Sequence, residues 1–304
     1  MQTVVITGLT GKSGKWMLQR MVKENNTLAE YKFRIAVRQS SDIKAFNNVP
    51  LNIELITGDL KDEKYLEKLC EGADTLFHIA GIDKSLLLVE VAIEMGISRI
   101  VLVHTTGIYS KYKEAGSLYR QIEQEISKMV KDRAISLTIL RPTMIYGNLN
   151  DGNISVFIKM VDKFGIFPVV DHATYALQPV WAKDLGEAYY RVLTSPLITK
   201  NKNYILSGGQ EILLIDMLKV IEKYLGKKNI YFSVPFSVAY AGACCLYGLT
   251  LGKCDFREKV KRLVEPRVFS YQDAKNDFDY NPVAFAHGVK EEVEEYLRHK
   301  KNNL

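Results

Sequence analysis

Apolar positions in the first half of the chain gather into short runs, several rich in β-branched residues, separated by stretches with helical spacing. Thr3–Ile6, Lys32–Arg38, Asn52–Ile56, Asp74–Ala80, Arg99–His104 and Ile135–Leu140 each read as a strand. Trp16-Met17-Leu18 with Met21-Val22, then Lys61–Leu69 and Ser85–Met95, supply helices between them, and a further helix carries Tyr119 to Glu123. Strands alternating with helices at this pace predict an α/β fold: a doubly wound, parallel Rossmann-type sheet over residues 1–150. The second half reads as helices over Gly152–Asp162, Leu185–Leu193, Leu213–Leu225, Arg257–Val264 and Val289–His299, with one short strand at Asn229–Phe232. A smaller C-terminal α/β lobe, 151–304, is expected, with roughly 174–194 returning to the first body.

The sharpest local signal follows the first strand. Gly8, Gly11 and Gly14 stand three residues apart and lead into the first helix. Strand, glycine turn and helix together aim backbone N–H groups and a helix N-terminus at a phosphate. The first glycine allows the turn, the second lets the backbone approach the phosphates, and the third lets helix pack on strand. A P-loop is disfavoured: Gly11-Lys12-Ser13 supplies its end, but its first glycine would fall at Ile6. The remaining alternative is a glycine-rich turn that holds nothing.

At 304 residues, 47% hydrophobic and 25% charged, the composition is that of an ordinary globular protein. The net charge of +6 includes a terminal Arg298–Lys301 cluster that reads as a solvated helix end. No basic surface interleaved with aromatics argues for nucleic acid. Cys70, Cys244, Cys245 and Cys254 lack the spacing of a metal site or a structural disulfide. Reduced thiols, and a strand opening at residue 3 that leaves no room for a cleaved signal peptide, lead to a cytoplasmic expectation. No metal is expected. Phe232–Leu251 carries no charge, but Pro235 and two glycines weaken a membrane span; a buried or membrane-surface helix is preferred. Its Tyr240 and Tyr247, with Cys244 between, are candidates to line an apolar pocket, and the stretch is a candidate membrane or partner contact.

Candidate ligand residues sit at strand ends, where open α/β sheets bind. Arg38 ends the second strand; an arginine there accommodates a 2′-phosphate and favours NADP(H), while Asp42 keeps NAD open. Asp59, in Gly58-Asp59-Leu60, is placed to accept from an adenine amine or to cap the next helix, a cap that Asp62 would supply equally well. Ala80-Gly81 would let the chain cross close to a flat ligand. His78, inside its strand, reads as a core histidine.

The chain resembles the extended and atypical short-chain dehydrogenase/reductases, the superfamily of nucleotide-sugar epimerases and dehydratases. The matching pieces are Thr7–Gly14, Gly58-Asp59-Leu60, Ala80-Gly81, Arg141–Gly147, Gln178–Asp184 and Phe278–Pro282 with Gly288. The resemblance implies an NAD(P) site built from Gly8, Thr10, Gly11, Lys12, Ser13, Gly14, Arg38, Asp59, Leu60, Ala80, Gly81 and Pro142. It also implies a lobe that closes over substrate, with Tyr109, Tyr146, Asn153 and Arg262 as candidate contacts. Arg267 could join Arg262 at a diphosphate, Asn153 reads equally well as a helix cap, and Asp184 reads as the cap of the helix after it.

Family chemistry needs a Ser/Thr, a tyrosine, and a lysine four residues later that lowers the tyrosine's pKa from about 10. Thr106 and Tyr119 fit the first two, but the third position is Glu123. A carboxylate there would raise a tyrosine's pKa. A shifted register puts Ala115 at the tyrosine position and Tyr119 at the lysine position, which serves the chemistry worse. Tyr109 and Lys113 share the spacing but lie too soon after the strand. Lys111, Lys113 and Arg120 are the cations that could substitute. The leading expectation is an NADP- or NAD-dependent, epimerase/dehydratase- or reductase-like enzyme acting on a nucleotide sugar, compatible with a homodimer. The alternative is a non-catalytic NAD(P)-binding redox sensor or assembly protein.

Overall fold

The computed structural model describes residues 1–112 and 114–302, so Lys113 lies outside the described residues. The first strands are β1 (Gln2–Thr7), β2 (Tyr31–Val37), β3 (Ile53–Thr57), β4 (Thr75–His78), β5 (Arg99–Val103) and β6 (Ser136–Pro142). Then come β7 (Ile145–Tyr146), β8 (Ile166–Val170), β9 (Ala176–Leu177), β10 (Val180–Trp181), β11 (Asn203–Leu206), β12 (Ile212–Leu213) and β13 (Ile230–Val234). The helices are α1 (Gly14–Lys23), α2 (Glu63–Cys70), α3 (Ser85–Glu94), α4 (Gly116–Val130), α5 (Ile154–Lys163) and α6 (Ala182–Thr194). They continue as α7 (Pro196–Thr199), α8 (Leu214–Leu225), α9 (Phe236–Leu249), α10 (Arg257–Leu263), α11 (Gln272–Phe278) and α12 (Phe285–Asn302).

Seven strands form one sheet in the order β11-β6-β5-β4-β1-β2-β3, with every pairing parallel. Val4 to Thr7 are all fully buried, because helices cover both faces of β1; that is why the strand reads as an unbroken apolar run rather than an alternating one. One face carries a core of Met17, Leu18, Met21, Phe33, Ile35 and Tyr189, contributed largely by α1 and α6. The other buries Leu66, Leu69, Leu88, Ala92, Ile122 and Ile126 from α2, α3 and α4. A third cluster, including Ile158, Phe167, Trp181, Leu218 and Phe285, is the core of the C-terminal lobe.

The return to the sheet is longer than the expected 174–194. α6 packs on α1, where a Cβ on Gly186 would collide with Trp16, so the two helices meet backbone to backbone. The chain then adds β11 beside β6, in register Asn203↔Ile139 through Leu206↔Pro142. Sequence patterning missed this seventh strand, since four residues between polar turns carry little periodicity. Asp184 is not the cap of α6, which starts at Ala182. Its carboxylate accepts from the Val283 N–H at 3.0 Å instead, and burial pushes its pKa up to about 6.

For the uncharged stretch, the structure removes the buried alternative. Only Ala243 of α9 is buried, so the helix is not a core element. The Tyr240 and Tyr247 rings face α10, with the Lys261 ammonium 5.0 Å from the Tyr240 ring and the Arg257 guanidinium 3.7 Å from that of Tyr247. Cys244 is exposed. Among the described residues no helix is long and apolar enough to cross a membrane.

Candidate active site at the strand ends

The strand order reverses between β1 and β4: β2 and β3 lie to one side, β5 and β6 to the other. Ligands of open α/β sheets bind in the crevice at such a switch point. Gly8 stands there at φ +78°, a left-handed conformation that favours glycine, and a Cβ on it would lie 2.8 Å from the Ala80 nitrogen. A Cβ on Gly11 would lie 2.9 Å from the Gly8 carbonyl oxygen, and one on Gly14 would strike that same oxygen. All three sites are closed to a side chain by backbone. The turn itself is fastened by Gly11 N–H donating to Gly8 O at 2.9 Å, while Thr10, Gly11 and Lys12 face solvent. Ser13 and Gly14 are buried at the start of α1, and Ser13 makes no side-chain cap.

The other strand ends line the same edge. Arg38 follows β2 with its backbone held to Ser41, and its guanidinium makes no hydrogen bond or ion pair among the described residues. Asp42 accepts from the Lys44 N–H, tying it to its own turn. Asp62, not Asp59, caps α2, accepting from the Lys64 and Tyr65 N–H groups. Asp59 is exposed at the end of β3 and holds the Lys61 N–H at 3.0 Å, with Leu60 half-buried beside it. Gly81 follows β4 at φ +93°, positioned by His78. That imidazole is fully buried between the Thr7 hydroxyl (2.6 Å) and the Gly81 carbonyl (3.0 Å). Because the carbonyl only accepts, Nε2 carries the proton and Nδ1 accepts from Thr7. Burial lowers the His78 pKa to about 4. Thr106 follows β5, its hydroxyl donating to the Pro142 carbonyl at 3.2 Å.

Glu123 is the largest revision to the catalytic reading. Its carboxylate is buried between Arg141 and His104, which lie far from it in sequence. Arg141 grips both oxygens, Nε to Oε1 at 3.1 Å and Nη2 to Oε2 at 2.6 Å. His104 Nδ1 meets Oε1 at 2.9 Å, and the ring's Nε2 lies 3.1 Å from Ser85 Oγ. Burial alone would raise the Glu123 pKa, but hydrogen bonds from His104 and Arg141 hold it below the ordinary value. Burial likewise lowers the His104 pKa, outweighing the pull of Glu123. Glu123 is therefore a structural clamp joining α4 to the ends of β5 and β6, its charge matched by Arg141. Tyr119, one turn earlier, is half-buried against the apolar layer under α2, α3 and α4. Of the substitute cations, Arg120 donates to the Ile108 carbonyl at 2.5 Å, and Lys111 is held through its backbone by Glu265.

The candidate substrate contacts divide. Tyr109 is exposed beside Phe269, with ring centroids 5.7 Å apart. Arg262 pairs with Glu258 at 3.6 Å; its Nε and that of Arg267 have no partner among the described residues. Burial, with Arg262 close by, lowers the Arg267 pKa to about 10. Glu265 between them accepts from the Ser110 hydroxyl at 2.7 Å and the Lys111 N–H at 2.8 Å, binding this lobe to the segment after Thr106. Sequence reading passed over Glu265, although an acid between two arginines was its visible signal. Tyr146 is fully buried, its hydroxyl donating to the Phe285 carbonyl at 3.4 Å, so it belongs to the lobe's core. Asn153 is no side-chain cap either: Asp151 accepts from the Asn153 and Ser155 N–H groups, and the Asn153 amide donates to Ile145 O.

Residues 1–244 match the NmrA-like family. The chain is 19% identical to a UDP-glucose 4-epimerase of Vibrio cholerae over 98% of this chain and 96% of that one. Its fold is similar to that of a dTDP-glucose 4,6-dehydratase from Streptomyces venezuelae solved with NAD and TYD bound: TM-score 0.74, 14% identity, 99% and 98% covered. It is similar too to the Thermotoga maritima UDP-glucose 4-epimerase with UDP-glucose: TM-score 0.71, 16% identity, 98% and 99% covered. The chain belongs to the NmrA-like family, and with it to the extended short-chain dehydrogenase/reductase superfamily.

Proposed function

We propose that the chain binds NADP(H), with NAD(H) as the weaker ligand, and transfers hydride on a nucleotide-sugar-type substrate in the manner of epimerases, dehydratases and reductases. The observation that carries the reading is the glycine cradle at the switch point, where backbone occupies the space of any Cβ at Gly8, Gly11 and Gly14. Gly8 to Gly14 would hold the diphosphate at the start of α1. Arg38, with its guanidinium unengaged, would take a 2′-phosphate; Asp59 would accept from the adenine amine; Leu60, Ala80, Gly81 and Pro142 would pack against the flat rings. The ligands bound in the similar structures, NAD with TYD in one and UDP-glucose in the other, support a dinucleotide beside a sugar nucleotide.

The dinucleotide supplies the hydride acceptor or donor. Thr106, fixed by its bond to Pro142 O, retains lone pairs to accept from a substrate hydroxyl, and Tyr119 is the candidate proton donor or acceptor. Tyr109, Asn153 and the Arg262–Arg267 pair are the candidate substrate contacts, the two arginines suiting a diphosphate. A thermal-shift panel of NADPH, NADH and nucleotide sugars tests this, since ligands of the native state raise Tm by mass action. NADPH should stabilise most, and Arg38→Ala should weaken NADPH binding about 10- to 100-fold while sparing NADH, the scale of a charge-assisted contact. A wild-type preference for NADH would remove Arg38 from this role. Tyr119→Phe should abolish turnover; activity that survives it unchanged would remove Tyr119.

Glu123 favours a second reading. With its carboxylate clamped by Arg141 and His104, the α4 face that carries Tyr119 has no lysine one turn on. A protein that binds NADPH and exchanges no hydride with any sugar nucleotide would be a redox sensor or assembly factor. Measured hydride exchange would rule that out.

A further inference from the structure

α9 is a 14-residue helix without a charged residue, and it has two unlike faces. Tyr240, Ala243 and Tyr247, at helical spacing, turn toward α10, where Lys261 and Arg257 cover the two rings. Val238, Ala241, Gly242, Cys245 and Leu249 recur at three- and four-residue intervals on the other side, and all are exposed. The tip beyond is more prominent still: Leu249 is 84% exposed and Leu251 91%. Residues 232–252 contain no charge, whereas 253–264 hold five bases against two acids, a net +3. Arg257 is paired with Asp255 and Arg262 with Glu258, which leaves Lys253, Lys259 and Lys261 without an ion-pair partner among the described residues.

We propose that α9 and the turn after it dock on an anionic lipid surface, the Val238–Leu249 face and Leu251 entering the acyl boundary while Lys253, Lys259 and Lys261 meet lipid phosphates. An interfacial helix needs an apolar face sunk a few ångströms below the headgroups and cations at that level, and it need not be long enough to span. Charge complementarity selects lipid over a second copy of this chain: self-association would bring two sets of unpaired lysines together at the rim of the apolar face. Small residues at 241, 242 and 245 give a shallow face suited to fluid acyl chains. The docking element also touches the proposed catalytic segment, since Glu258 of α10 accepts from the Glu114 N–H at 3.3 Å and Glu265 holds Ser110.

The test uses the full chain with vesicles of phosphatidylcholine, with and without phosphatidylglycerol, read by co-sedimentation. Each cation near an anionic surface strengthens binding roughly fivefold, so three predict on the order of a 100-fold preference for the anionic vesicles at low salt, falling as salt rises. Leu249→Asp with Leu251→Asp should reduce binding at least about tenfold, and Lys253→Glu with Lys259→Glu should remove the anionic preference. Both variants alter exposed side chains, so melting temperature and NADPH binding should stay at wild-type values; NADPH binding is scored separately, and its loss would bear on the dinucleotide reading alone. Equal binding to neutral and anionic vesicles, or no binding to either, would overturn the proposal. So would a concentration-dependent dimer in sedimentation velocity that Leu249→Asp dissolves, because the face would then belong to a second copy.

Discussion

Glu292→Gln probes a carboxyl group that the fold holds protonated. Glu292 is 1% exposed on α12, where its Oε2 accepts from the Gly147 N–H at 2.9 Å. Burial, then the nearby charge of Asp151, raise the Glu292 pKa from 4.5 to about 9. Between those values the folded chain keeps a proton that the unfolded chain releases, so stability falls as pH rises through that window. pH 7 lies about 2.5 units above the carboxyl's unfolded pKa of 4.5, which sets an upper bound of about 3 kcal/mol on the cost of holding it neutral. Glutamine keeps an oxygen for Gly147 and has no proton to take up. Allowing half of the bound for local relaxation, the variant should gain about 1–2 kcal/mol at pH 7, or roughly 2–5 °C in Tm. Thermal melts from pH 5 to pH 9 check this. The gain should vanish near pH 5 and grow toward pH 9; a difference in Tm that is constant across pH, or a loss at every pH, would refute a neutral Glu292.

Glu123→Lys, which restores the residue type expected by the catalytic pattern, should not restore chemistry. It places a second cation against Arg141 and should cost about 3–5 kcal/mol in urea unfolding, the scale for breaking a buried pair. Near-wild-type stability with faster turnover would show the clamp to be dispensable. His78 is buried neutral, its pKa lowered from 6.5 to about 4, so its share of stability is present above 6.5 and is lost as pH falls through that window. His78→Asn should flatten the fall in stability between pH 6.5 and 4, by up to about 3 kcal/mol; an unchanged acid limb would mean His78 does not carry it.

The alternation of strand and helix in the first half was legible because both faces of a parallel sheet are covered, so each strand appears as an apolar run. The glycine cradle was legible for a largely local reason: the backbone that closes Gly11 and Gly14 to a side chain lies within six residues, and only the Ala80 contact at Gly8 comes from afar. The clamp that holds Glu123 was not legible, because its partners are 18 and 19 residues away and meet it only when β5, β6 and α4 come together. Tyr146 shows the converse limit. A tyrosine in a family motif carries no mark of whether its ring faces a ligand or a core, and here Phe285 and Gly288 close over it. The exposure of α9 was hidden too, since an uncharged helix reads alike whether a core or a lipid surface covers it.

The Arg141 grip on Glu123 has a consequence for the paths by which this chain can change. A single substitution at either position leaves the other charge buried and uncompensated, a loss comparable with a large part of a domain's total stability. Residues 123 and 141 are thus expected to vary together or not at all in descent. A lineage holding this pair reaches a lysine at 123 only by changing residue 141 as well, and in either order the intermediate carries one buried charge without its partner. The departure from the catalytic pattern is in that sense locked behind a two-step route, whatever activity the cleft retains.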